Sequence, residues 1–150
     1  MLTEQQIIQI NEIKEDLRNL FFKNNTGVYY HSLRVYHKTL LYHENSFELL
    51  IIALLHDVLE DTEFSLQDLK NMYYNKFQFL CDNSEIIFNS LVAITRQKSE
   101  IYIDYIVRCK NDDYARKIKF LDIEENLMRC FESQNKSLAE RYLNALNVLF

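Results

Sequence analysis

One glycine and no proline in 150 residues limit what this chain can become. Sandwiches, barrels and doubly wound sheets reverse direction many times, at backbone angles for which glycine and proline are the usual residues. Helices joined by short polar loops need few of either. The expected class is therefore all-α. The same scarcity excludes a glycine-rich phosphate loop. The length suits one domain over residues 1–150, able to bury roughly 70% of its unfolded surface without staples.

Composition closes further options. The chain is 48% hydrophobic and 26% charged, ordinary for a globular protein. Cys81, Cys109 and Cys130 are widely spaced and form no C-x-x-C pair, so free thiols and a cytoplasmic location are expected. The opening MLTEQQIIQINEIKEDL carries acids early and has no apolar signal core. The longest apolar run, Leu49–Leu55, is too short for a bilayer, so no membrane partner is expected. A net charge of −5 disfavours a nucleic-acid partner. It leaves room for a small anionic ligand bound at a metal.

Apolar residues recur at helical spacing through nearly the whole chain. Thr3 with Gln6 reads as a capping box opening a helix to about Phe22. A loop at 23–27 contains Gly27, the one residue free to take any backbone angle. About seven more helices follow, near 30–43, 47–60, 65–77, 84–95, 100–109, 114–132 and 138–149. Ser65 with Asp68 resembles a second cap, and Glu44–Ser46 is a polar break.

The third of these helices carries the chemistry. Its first half, FELLIIALL, is apolar nearly all round, as for a helix at the centre of a domain. Then come His56, Asp57, Glu60 and Asp61, which share an arc of about 140° on one helix. Burying three neighbouring carboxylates costs several kcal/mol unless positive charge sits among them, and a divalent cation is the economical answer. The alternative is a helix end emerging into solvent, although acids at a helix C-terminus oppose its dipole. Elsewhere, His31 begins the second helix. Lys119, Asp122 and Asn126 fall within about 60° of one another on the seventh. Taken alone, each reads as an ordinary solvated helix residue.

Together these residues resemble the HD-domain metal-dependent phosphohydrolases, with His31, the pair His56-Asp57, and Asp122 following the H…HD…D pattern. The segment ALLHDVLEDT is similar to the HDxxEDT signature of the RelA/SpoT-type (p)ppGpp (alarmone) hydrolase domain. GVYYHSLRV around His31, LVAITR, and ARKIKFLDIEENL resemble further segments of that domain. The likeness runs from Gly27 to Met128, with Ser32 in place of the usual proline and Leu121 in place of the usual alanine.

The resemblance implies a stand-alone hydrolase in a single HD-type helical bundle. Its metal ligands would be His31, His56, Asp57 and Asp122. They would surround one divalent cation, and a thiolate-free N₂O₂ set together with the resemblance favours Mn²⁺. Glu60 and Asp61 would be catalytic, handling the protons of the attacking water and the leaving oxygen. Asn126 would hydrogen-bond the nucleotide. Lys119 would screen phosphate charge or pair with a carboxylate. Arg96 and Arg108 are candidate phosphate contacts. Tyr102 and Tyr105 suit core packing better than base stacking, and His37 and His43 suit no metal role. The implied reaction removes the 3′-pyrophosphate of (p)ppGpp. The alternatives are a phosphatase acting on another nucleotide, such as a 2′-phosphorylated nicotinamide cofactor, and a nucleotide-binding sensor without turnover. Keeping both Glu60 and Asp61 argues against the sensor.

Overall fold

The structure, a computed structural model, describes residues 1–43 and 46–150; Glu44 and Asn45, part of the expected polar break, lie outside the described residues. Among the described residues there are helices and no strands. The helices are α1 (Glu4–Phe21), α2 (Thr26–Tyr42), α3 (Phe47–Leu55), α4 (Val58–Asp61), α5 (Leu66–Leu80), α6 (Ser84–Ile94), α7 (Tyr102–Lys110), α8 (Asp113–Glu132) and α9 (Lys136–Leu149). Both expected capping boxes are present, Thr3 with Gln6 on α1 and Ser65 with Asp68 on α5.

Helix α3 lies at the centre. Every one of its residues except Glu48 is buried, and it packs against α1, α2, α6 and α8. An aromatic group formed by Phe47, Tyr73, Phe77 and Phe88 fills one side of it. A helix that is apolar all round has no face to give to water, so its neighbours must surround it. That enclosure fixes where the end of α3 points. Helix α9 closes the other side of the fold against α7 and α8.

Two local expectations change. The third helix does not run unbroken to Glu60. It stops at Leu55, and a single turn, α4, resumes at Val58. The cause is the His56 ring, whose Nδ1 lies 2.8 Å from the Ala53 carbonyl. In an unbroken helix that carbonyl would accept from the Asp57 N–H. A side chain competing for a backbone acceptor interrupts the ladder, and Asp57 relaxes to φ −94°, ψ −6°. Gly27 is not in a loop but in the first turn of α2, and no glycine has positive φ. A Cβ placed on it would sit 3.7 Å from Asn25 Oδ1, an ordinary contact. Its conformational freedom is unused.

The left-handed positions fall instead on Ser99 (φ 67°) and Gln134 (φ 58°). Gln134 ends α8 in a Schellman arrangement: the Asn135 N–H donates to Cys130 O at 2.9 Å and the Gln134 N–H to Phe131 O at 3.3 Å. Glycine is the favoured residue at such a site. All three cysteines are free. No described helix is long and apolar enough to cross a membrane. Replacing Gln134 with glycine removes the left-handed penalty on a side chain, so Gln134→Gly should raise the urea-unfolding free energy by about 1 kcal/mol. An unchanged or lower midpoint would show that the turn carries no strain.

Candidate metal centre

Three elements meet at the end of α3. Helix α2 supplies His31, the α3–α4 break supplies His56 and Asp57, and α8 supplies Asp122. His31, His56 and Asp122 are 5%, 3% and 4% exposed. His31 Nε2 lies 2.8 Å from Asp122 Oδ1 and 3.8 Å from Asp57 Oδ2. His56 Nε2 lies 3.3 Å from Asp57 Oδ2 and 3.8 Å from Asp122 Oδ1. One donor atom from each of His31, His56 and Asp122 falls within 4.8 Å of the others.

The chemistry of this set fits a divalent cation. The Ala53 carbonyl can only accept, so His56 Nδ1 carries a proton and Nε2 is the nitrogen left to face a cation. That Nε2 is buried and has no hydrogen-bond partner among the described residues. A backbone carbonyl behind a ligating imidazole is the usual way to fix its tautomer. Burial alone would lower the pKa of His56, but Asp57 and Asp122 outweigh it and hold the imidazole well above its ordinary value. Burial would likewise raise Asp122, but Lys119 and the two histidines hold it well below the usual carboxylate range. Both directions have one cause, the close approach of the Asp57 and Asp122 carboxylates to basic groups. Two imidazoles and two carboxylates without thiolate suit Mn²⁺, Zn²⁺ or a similar ion.

Asp122 is held from its own helix. Lys119 Nζ donates to Oδ2 at 2.7 Å, and Asn126 Nδ2 donates to Oδ1 at 2.8 Å. Lys119 is 9% exposed, with its ammonium 4.9 Å from the centre of the Tyr105 ring. Of the two roles expected for Lys119, the structure places it in the carboxylate pair. Asn126 gives one amide N–H to the same carboxylate and also faces the cavity that opens above the cluster. One turn further along both helices, Glu125 accepts from Arg34 at 2.8 Å and pairs with Lys38 at 3.0 Å. This clamp sets the register of α2 on α8, and so brings His31 opposite Asp122.

A cavity of about 320 Å³ opens above the cluster. Asp57, Glu60, Asp61 and Asp122 line it together with Arg96, Lys119, Arg129 and Arg141. Glu60 accepts a hydrogen bond from the backbone N–H of Arg96. Burial raises the pKa of Glu60 despite that bond, and burial with the Asp57 charge beside it raises Asp61. Arg96 lines the cavity while its guanidinium donates to Glu100 O.

Arg108, expected as a phosphate contact, is placed elsewhere. It is not in the cavity lining. All five of its N–H donors are taken at 2.8–3.0 Å, by the Glu100 carboxylate and by the Val92, Ala93 and Thr95 carbonyls at the end of α6. It caps α6 and ties it to the loop before α7. Tyr105 is buried and its hydroxyl donates to Ile94 O, in line with core packing, although it lines the cavity together with Tyr102. His37 and His43 take no part in the cluster.

Arg129, Arg141 and Tyr142 also line the cavity, and the sequence reading did not select them. Arg129 had a signal: it extends the stripe Lys119, Asp122, Asn126 by one further turn. Arg141 and Tyr142 had none, because only the docking of α9 carries them to the site.

Two outcomes follow from this geometry. Adding Mn²⁺ should stabilise the protein by about 2.7 kcal/mol when the ion stands at about 100 times its dissociation constant. That shift in thermal melting should vanish in Asp122→Ala, and metal analysis should find one ion per chain in the unaltered protein. Lys119→Met removes the ammonium from Asp122 Oδ2 and leaves that buried oxygen without its partner. In chelator it should cost about 3–5 kcal/mol by urea unfolding, and a loss under about 1 kcal/mol would show that Asp122 does not depend on the lysine.

No curated protein matches the chain. A family model described as HD domain matches residues 28–142, a span that contains all four candidate ligands. With His31, the His56-Asp57 pair and Asp122 converging as they do, the chain belongs to the HD-domain family.

Proposed function

The HD domain implies a metal-dependent phosphohydrolase, and we propose that this one is an Mn²⁺-dependent nucleotide hydrolase that removes the 3′-pyrophosphate of (p)ppGpp. The observation that carries the reading is the shared cavity. Two carboxylates with raised proton affinity, Glu60 and Asp61, open onto the same space as His31, Asp57 and Asp122.

His31, His56, Asp57 and Asp122 would hold the ion. When bound, it supplies Lewis acidity to the phosphoryl oxygens and lowers the pKa of coordinated water. The protein's own part is positional and protonic. The Ala53 carbonyl fixes the tautomer of His56, and Lys119 and Asn126 fix the carboxylate plane of Asp122. The Arg96 N–H anchors one oxygen of Glu60, so the carboxylate points into the cavity without a search. Raised carboxylate pKa values suit groups that must gain and lose protons near neutrality. One of Glu60 and Asp61 accepts the proton of the attacking water, and the other returns a proton to the leaving 3′-oxygen. The HDxxEDT likeness supports (p)ppGpp as the substrate, and the arginines around the cavity support a polyphosphate. The partner is then a small nucleotide, neither nucleic acid nor membrane, consistent with a cytoplasmic enzyme.

The test is turnover with added Mn²⁺ across (p)ppGpp, other 3′-phosphorylated nucleotides and a 2′-phosphorylated nicotinamide cofactor. Preference for the last keeps the metal site and replaces the substrate. Binding without turnover of any nucleotide replaces the enzyme reading with that of a sensor. Glu60→Gln and Asp61→Asn should each keep the metal and lose about 10²–10⁴-fold in kcat. If both lose the metal, the two residues are ligands and the division of roles is wrong.

A further inference from the structure

Among the described residues the Glu60 carboxylate has one hydrogen-bond donor, the backbone N–H of Arg96. That N–H belongs to the loop 95–101 between α6 and α7. Residues 96–99 are all exposed and Ser99 is left-handed, at φ 67°, so apolar packing does not fix the turn. Side chains fix it instead. Arg108 Nη2 donates to the Thr95 carbonyl at 2.8 Å. The same guanidinium holds the Glu100 carboxylate at 2.8 and 3.0 Å, and Glu100 Oε2 accepts from the Gln97 N–H at 3.0 Å. The backbone on both sides of Arg96 is therefore tied to one ion pair, Arg108 with Glu100. Neither member is among the candidate ligands or in the cavity lining. The Thr95 carbonyl and the Arg96 N–H are the two ends of one peptide group. That peptide is trans, so its oxygen and hydrogen point in opposite directions. A guanidinium stands at the oxygen end and the Glu60 carboxylate at the hydrogen end of the same planar unit.

We propose that Arg108 is a positioning residue for the hydrolysis, acting through the Thr95–Arg96 peptide to hold the Glu60 carboxylate in place. The inference rests on the phosphohydrolase reading and adds to it a residue that never touches the substrate. Two effects combine. Rotation of the peptide plane about its Cα–Cα line would swing the N–H away from Glu60, and the bond from Arg108 to the Thr95 oxygen opposes that rotation. The positive charge at the carbonyl also polarises the peptide, and hydrogen bonds in a chain strengthen one another. Glu100 has a separate task. By gripping two nitrogens of the guanidinium it orients the planar fork so that the remaining donors reach the carbonyls at the end of α6. An ammonium has the charge but not the fork, so lysine supplies only part of this arrangement.

The test is a double-mutant cycle between Arg108 and Glu60, read in turnover with added Mn²⁺ on whichever nucleotide of the panel above is hydrolysed, together with the amide resonance of Arg96. Arg108→Gln should lower kcat by about 10–10²-fold, the scale expected when a reacting group is misplaced from a distance, with KM and metal content unchanged. In the Glu60→Gln background the same substitution should cost less than about 2-fold, because no carboxylate is left to position. Arg108→Lys should recover part of the loss. In metal-free protein the Arg96 amide proton should move upfield in both Glu60→Gln and Arg108→Gln, as its hydrogen bond loses charge or alignment. Thermal melting of each variant confirms that it is folded. Should Arg108→Gln fail to fold, Arg108→Lys carries the same cycle, with smaller changes in the same directions. Losses that multiply in the double variant overturn the proposal, since they would mean that Arg108 supports the fold without acting through Glu60. An Arg96 resonance that stays in place in the folded Arg108 variants overturns it too. If no nucleotide is turned over, the hydrolase reading fails, and the Arg96 resonance alone decides whether Arg108 positions Glu60.

Discussion

Asp122 is a carboxylate in the interior of a helical protein, and most of the architecture around the cavity serves to keep its charge there. Moving a carboxylate out of water costs several kcal/mol. Here that cost is offset by Lys119 on one oxygen and by Asn126 and His31 on the other. Two of these three partners are on the same helix at i−3 and i+4, so they come at almost no cost in chain ordering. The third comes from α2, whose register on α8 is set by Arg34, Lys38 and Glu125. Lys119 is itself buried, against Tyr105. The pair is therefore mutually dependent, and each charge is tolerable only because of the other.

The second constraint is the interruption between α3 and α4. Had the helix continued, the His56 ring would have had no free carbonyl behind it and its tautomer would have been open. By taking the Ala53 carbonyl, the ring turns Nε2 toward the carboxylates and at the same time breaks the ladder so that Asp57 leaves the helical path. One hydrogen bond thus aims two candidate ligands. The apolar burial of α3 resists any rotation that would undo it, since every turn of that helix is enclosed.

The sequence made the helical class legible because a chain with one glycine and no proline has few other ways to fold. It made the candidate ligands legible because HDxxEDT with a distant histidine and aspartate is a specific pattern, and His31, His56 and Asp122 do converge, with Asp57 beside them. The capping boxes at Thr3 and Ser65 were readable because a cap is a local hydrogen bond between residues three apart. What local spacing did not reveal is tertiary. A regular 100° step carries no sign that His56 competes for a carbonyl. Arg108 and Arg141 look alike as charged residues on exposed helix faces. One spends its donors on the end of α6 and the other reaches the cavity, and only the packing of α7 and α9 separates them.

Helix α9 gives the site a dependence on chain order. The cavity is lined from Asn25, before α2, to Tyr142, within α9, so its two walls are separated by most of the sequence. His31, His56, Asp57 and Asp122 come from α2, the α3–α4 break and α8, whereas Arg141 and Tyr142 come from α9, which packs against α7 and α8. Undocking of α9 would therefore strip one wall from the cavity while leaving the four candidate ligands on their own elements.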